Sequence, residues 1–95
     1  MGYTIKSANF FLQQVTELSD NAATQLENKI ALLKINPYRY KKLQHPNLLL
    51  FRIRFTDKRK EKRLIYTIDK NNIKLLCILD RNKEYRDLER YINKN

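Results

Sequence analysis

Four arginines in this chain stand where strand-like alternation would gather them on one surface. In the stretch FRIRF, Phe51, Ile53 and Phe55 share one face, and Arg52 and Arg54 share the other, because side chains alternate with a period of two. Arg63 opens a second alternating stretch, RLIYTI, in which Leu64, Tyr66 and Ile68 form one face and Arg63, Ile65 and Thr67 the other. Arg81 follows the apolar run IKLLCIL, residues 73–79. A guanidinium is a rigid fork of donors that matches phosphate oxygens, so arginines converging in this way predict a phosphate-binding surface. The competing reading is a solvated strand face, and the scarcity of carboxylates to neutralise that face argues against it. Between the first two stretches runs TDKRKEK, with Lys58, Arg59, Lys60 and Lys62 and no glycine. It reads as a long basic tip reaching outward.

The placement of charge sharpens this. The net charge is +10, from 20 basic and 10 acidic residues among 95. Residues 1–37 set Lys6, Lys29 and Lys34 against Glu17, Asp20 and Glu27, so the whole excess falls on residues 38–95. Such asymmetry points to a polyanionic partner, nucleic acid before an acidic membrane. The hydrophobic fraction of 42% supplies a core, so the high charge is not that of a disordered chain. No apolar run approaches the ~20 residues of a membrane span, and MGYTIKSANFF lacks the character of a signal peptide. The single cysteine, Cys77, excludes an internal disulfide and is expected in the core. One Cys and one His make no metal centre, so neither metal nor cofactor is expected, and the chain is expected in the cytoplasm.

These residues need elements to position them. Tyr3–Lys6 alternates as a short strand. Ser7 is expected to cap a helix carrying Phe11, Val15 and Leu18 at i, i+4 and i+7. Ser19-Asp20-Asn21 restarts the pattern for a second helix with Leu26, Ile30 and Leu33, which Asn36-Pro37 ends. Three strands follow, the last of them (residues 73–79) apolar enough to be covered on both sides. Asp69-Lys70-Asn71-Asn72 forms the turn before it. Tyr85, Leu88 and Ile92 then mark a terminal helix. The result is one α+β domain over residues 1–95, in the order β-α-α-β-β-β-α, with a helical hairpin on a small, mainly antiparallel twisted sheet.

The same residues resemble the RelE/ParE superfamily of toxins from bacterial and archaeal toxin–antitoxin modules. YTIK, the hairpin ending in NPYRYKKL, FRIRF, KRLIYTID and ILDRNKEYR fall in that family's order, over nearly the whole chain. RLIYTI followed by ILDRNKEY is the most specific piece. The resemblance implies the toxin of a type II module, a RelE-like mRNA interferase. Such an endoribonuclease inhibits translation by cutting messenger RNA in the ribosomal A site without metal. Arg63 would stabilise the transferring phosphate, Arg81 would act as the second arginine, and Arg52 and Arg54 occupy positions that are basic in the RelE-like branch. Tyr85 would stack on a base or assist proton transfer, with Tyr91 as substitute. Lys58, Arg59, Lys60 and Lys62 would contact ribosomal or messenger backbone, and a cognate antitoxin would cover the basic surface.

One departure concerns proton transfer. Arg52 and Arg54 stand where RelE-like nucleases can place lysines, and a guanidinium does not give up its proton. Tyr85, Glu61, Asp80 and His45 remain as candidate bases; His45, before Pro46, also reads as a loop residue. Two other functions stay open: a ParE-like inhibitor of DNA gyrase, and a nucleic-acid-binding module without catalysis.

Overall fold

The computed structural model of the chain describes residues 2–81 together with Leu88 and Arg90. Its elements are β1 (Thr4–Ser7), α1 (Asn9–Val15), α2 (Asp20–Ala31), β2 (Lys41–Leu43), β3 (Leu50–Asp57), β4 (Lys60–Asp69) and β5 (Asn72–Asp80), with a short 3-10 turn, Leu32–Lys34, after α2. The five strands form one sheet in the order β1-β5-β4-β3-β2. β1 runs parallel to β5 and the other three pairs are antiparallel, so the α+β class and the mainly antiparallel sheet are as expected. The helix expected over residues 83–92 lies outside the described residues, except that Leu88 and Arg90 are helical.

One face of the sheet holds the main core. Phe51, Ile53 and Phe55 from β3, Leu64, Tyr66 and Ile68 from β4, and Ile73, Leu75 and Ile78 from β5 pack against Phe11, Ala22, Leu26 and Leu33. This is the alternation of the sequence realised in space, with α1 over β5 and α2 over β3. Each large apolar side chain so buried contributes about 1.5–3 kcal/mol. Tyr66 is fully buried; its hydroxyl donates to the Pro37 carbonyl at 2.6 Å and its ring stacks on Phe51 at 5.4 Å.

The opposite face is divided. Leu43, Leu50, Ile65, Leu76, Cys77 and Leu79 form a second apolar cluster that buries Leu88. A β-bulge makes this possible. Ile65 faces Cys77 and Tyr66 faces Leu75, which leaves Leu76 as the extra residue. Leu76 and Cys77 thereby both join the second cluster, while Leu75 and Ile78 face the helices. β5 is therefore covered on both sides, as its apolar run implies. Burial pushes the Cys77 thiol up to about 12.

One local expectation changes and another holds. Ser7 does not cap α1. It ends β1 opposite Leu75, and Ala8 precedes the helix without a side-chain cap. Strand pairing has taken the residue that local pattern assigned to the helix. Ser19 does cap α2, accepting from the Ala22 amide at 3.2 Å. Its hydroxyl also donates to Asp57 at 2.7 Å, tying the start of α2 to the end of β3.

That hydroxyl is the leading reason the Asp57 carboxyl is held below its ordinary range, with the Ser19 amide, Lys58 and Lys62 acting in the same sense. A depressed acid adds stability above its unfolded pKa and loses it as pH falls. Asp57→Asn is therefore expected to melt below wild type at pH 7, with the gap closing as pH falls below about 4. Paired thermal melts across that range check it.

Candidate active site

Arg54 and Arg63 lie directly opposite each other across β3 and β4. Arg52 stands two residues along β3, on the same face, opposite Ile65. Arg63 in turn faces Leu79 on β5, and the Arg81 amide donates to the Glu61 carbonyl at 3.2 Å, extending the ladder one step past β5. By the period of two, Glu61, Arg63, Leu79 and Arg81 share a face. The four arginines are thus brought onto one face of the sheet at the end nearer the β3–β4 turn, beside the second apolar cluster.

They are not equally available. Arg54 and Arg81 are exposed, the Arg63 side chain is 14% exposed, and Arg52 is nearly covered. Like charges directly opposed on a sheet repel, so the Arg54–Arg63 pair is a local cost of up to about 1 kcal/mol. Glu61 offsets part of it, its carboxylate lying 3.3 Å from the Arg63 guanidinium. A pocket of about 350 Å³, lined by Arg59, Lys60, Glu61, Asp80 and Arg81, opens at this end of the sheet.

The tip is shorter than the sequence suggests. Asp57 pairs with Lys60, so the hairpin turns on Lys58 and Arg59 alone. Both are left-handed, at φ 51° and 69°. A two-residue hairpin requires this conformation, and it normally recruits Asn-Gly. Here two long basic side chains occupy it instead. Replacing the pair by Lys58→Asn and Arg59→Gly is expected to raise stability by about 1–2 kcal/mol and to weaken, with a flatter salt dependence, the polyanion binding that the charge asymmetry leads one to expect. Urea denaturation and filter binding at several salt concentrations measure the two effects separately.

The basic set of the tip divides. Lys58, Arg59 and Lys60 are exposed at the turn. Lys62 is ion-paired with Asp80 at 2.7 Å and lines a pocket with Gln14 and Glu17 on the helix side. The candidate bases separate as well. Asp80 is engaged by Lys62. His45 accepts the Asn47 and Leu48 amides on Nδ1, so it shapes its own loop. Glu61 alone of the described candidates stands on the arginine face; Tyr85 lies outside the described residues. Tyr38 and Tyr40 face the helices, Tyr38 edge-on to Phe51 and Tyr40 donating to the Lys29 carbonyl.

Reasoning from the sequence missed β2, and with it Lys41. Lys41 pairs with Arg52, which sets it on the arginine face at the edge of the sheet. The motif KKL has no alternation to betray a strand, so its pairing with β3 alone reveals it.

The whole arrangement was compared with known proteins. No family model and no curated protein matches the sequence. Solved structures do match. A double arginine-to-alanine mutant of the E. coli toxin RelE in the free state superposes with a TM-score of 0.79 at 14% identity, covering 99% of this chain and 98% of that one. The fold is that of RelE. The toxin–antitoxin complex RelBE of E. coli gives a TM-score of 0.70 at 16% identity, over 85% of this chain and 99% of that chain. The archaeal RelE-RelB complex from Pyrococcus horikoshii OT3 gives 0.65 at 19%, over 88% and 100%. In this RelE fold, Arg54, Arg63, Glu61 and Arg81 occupy one end of the sheet face that does not carry α1 and α2.

Proposed function

We propose that this chain is the toxin of a type II toxin–antitoxin module that inhibits translation by cutting messenger RNA in the ribosomal A site. The observation that carries the reading is the Arg54–Arg63 pair, with Glu61 beside Arg63, on the exposed end of a RelE-fold sheet. In the reaction a ribose 2′-oxygen attacks the adjacent phosphorus and the 5′-oxygen leaves. Negative charge grows on the phosphate oxygens as this happens. Guanidinium groups fixed in advance stabilise that charge without reorganising, and removing one such donor typically costs about 10²–10³ in rate. Arg63, braced by Glu61, and Arg54 supply this. Arg81 holds a flanking phosphate, and Arg52, largely covered, supports its neighbours.

Glu61 is the proposed general base, since a carboxylate can take the 2′-hydroxyl proton and an arginine cannot. Lys58, Arg59 and Lys60 grip ribosomal or messenger backbone from the tip, and Lys62 contributes through its ion pair to the frame of the site. Tyr85 is proposed to stack on a base at the scissile nucleotide. The protein acts in the cytoplasm, where ribosomes are, and an antitoxin with an acidic surface restrains it. Two of the structural neighbours are complexes with RelB, which supports an antitoxin partner.

Expression in growing cells, with mapping of messenger 5′ ends, tests the proposal. Cuts within reading frames that vanish with Arg63→Ala, Arg81→Ala support it. Growth arrest with intact messages and altered DNA supercoiling would replace it with gyrase inhibition.

A further inference from the structure

The proposed cleavage leaves one proton unaccounted for. The departing 5′-oxygen is a poor leaving group unless it is protonated as the P–O bond breaks, and general acids of this kind contribute about 10²–10⁴ in rate. Arg52, Arg54, Arg63 and Arg81 hold their protons too tightly to serve. Glu61 is taken as the base. The face must present some other donor.

Among the described residues of the strands, three lysines share this face, and Lys6, beside Lys74 on the edge strand β1, is the most remote from the arginine pair. Lys74 pairs with Thr67, in the row beyond Ile65 and Cys77, two rows from the Arg54–Arg63 pair. Lys41 lies in the nearer row, opposite Arg52. It is a diagonal neighbour of Arg54, a relation that sets Cα atoms about 7–8 Å apart and within reach of long side chains. Lys41 is also exposed, so its ammonium is free to meet a ligand, whereas Cys77 on the same face is buried with its thiol pushed up to about 12. The arginine pair thus lies between a carboxylate on β4 and an amine on β2. In-line displacement needs a proton acceptor at one end of the phosphate and a donor at the other.

Building on the nuclease reading above, we propose that Lys41 is the general acid of the cleavage reaction. As the 2′-oxygen bonds to phosphorus its proton passes to Glu61. The P–O5′ bond breaks and a proton from Lys41 Nζ goes to the departing oxygen. The products are a 2′,3′-cyclic phosphate and a 5′-hydroxyl, and neutral Lys41 and protonated Glu61 then exchange protons with water.

The test uses the whole chain with programmed ribosomes and two messages. One is ordinary; the other carries a single 5′-bridging sulfur at the scissile phosphate, whose thiolate departs without protonation. Lys41→Arg keeps the positive charge but cannot deliver a proton. It is expected to cut the ordinary message at least ~100-fold more slowly than wild type, to cut the sulfur message as fast as wild type, and to bind ribosomes equally well. A Lys41→Arg protein that cuts the ordinary message normally, or is equally impaired on both, overturns the assignment while the nuclease reading stands. A wild-type protein that cuts neither message overturns both. Unchanged melting temperature confirms that the variant is folded, which its exposed position on an edge strand favours.

Discussion

On the proposed nuclease reading, Arg63→Ala is expected to lower the rate of message cleavage by about 10²–10³ while leaving the fold intact. The two halves of this expectation come from the same pairing. Arg63 sits directly across from Arg54, an arrangement that costs stability and that a structural role alone would not favour. Truncation relieves that repulsion, but it also removes the 3.3 Å contact with Glu61. The two changes oppose each other, each at the scale of a fraction of a kcal/mol. Melting temperature should therefore stay within a few degrees of wild type. Arg63→Lys restores charge without the fork of donors, and should recover only part of the rate. Single-turnover cleavage with programmed ribosomes, beside thermal melts of the same preparations, reads both quantities. A loss of activity matched by a comparable loss of stability would make Arg63 a structural residue.

Tyr66→Ala is expected to unfold the domain or come close to it. The ring is fully buried between the helices and the sheet, stacked 5.4 Å from Phe51, and truncating a buried aromatic costs about 3–5 kcal/mol. A domain of this size has a total stability of about 5–15 kcal/mol. Tyr66→Phe isolates the hydroxyl. It leaves the Pro37 carbonyl without its 2.6 Å donor, at about 1–3 kcal/mol. Burial also raises the Tyr66 phenol far above its ordinary range, with the nearby Tyr40 adding to the effect. An acid with a raised folded pKa supplies stability below its unfolded value, and that stability is lost as pH climbs past it. The wild-type protein should therefore lose stability above about pH 10, by up to about 1.4 kcal/mol per pH unit for this group. Tyr66→Phe should lose less over the same interval. Cys77, raised to about 12, adds to the wild-type slope from slightly lower pH. Urea denaturation between pH 8 and pH 11 measures both curves.

The parts of the fold that were legible in the sequence are those where one periodicity dominates. FRIRF and RLIYTI alternate cleanly, and their faces emerged as read. Ser19 was legible as a cap because a hydroxyl before a helical stripe has few competing uses at that point. The rest depended on partners that a local pattern does not name. Ser7 looked like a cap until Leu75 claimed it for the sheet. KKL carries no strand signal and becomes β2 because β3 offers an edge to pair with. The continuous apolar run of β5 concealed a bulge, since Leu75, Leu76 and Cys77 suit either face equally. TDKRKEK seemed long because it lacks the Asn-Gly of a two-residue turn, yet Lys58 and Arg59 adopt that turn.

The candidate site followed the same rule. That Arg52, Arg54 and Arg63 share a face was legible from alternation. That Arg54 and Arg63 stand directly opposite depended on register, which the turn at Lys58-Arg59 sets. Register also assigned Lys62 to Asp80, on the side away from the arginines, and brought Glu61 and Lys41 to them.

The measurement that tests the account most directly is the fate of a message bearing one 2′-deoxy nucleotide at the ribosomal A site. Loaded on ribosomes with the purified protein, the all-ribose message should be cut there, leaving a 2′,3′-cyclic phosphate and a 5′-hydroxyl. The 2′-deoxy message should stay intact at that position. Cleavage of the deoxy message, or the absence of cuts in either, would contradict a nuclease built on 2′-oxygen attack across the Arg54–Arg63 pair.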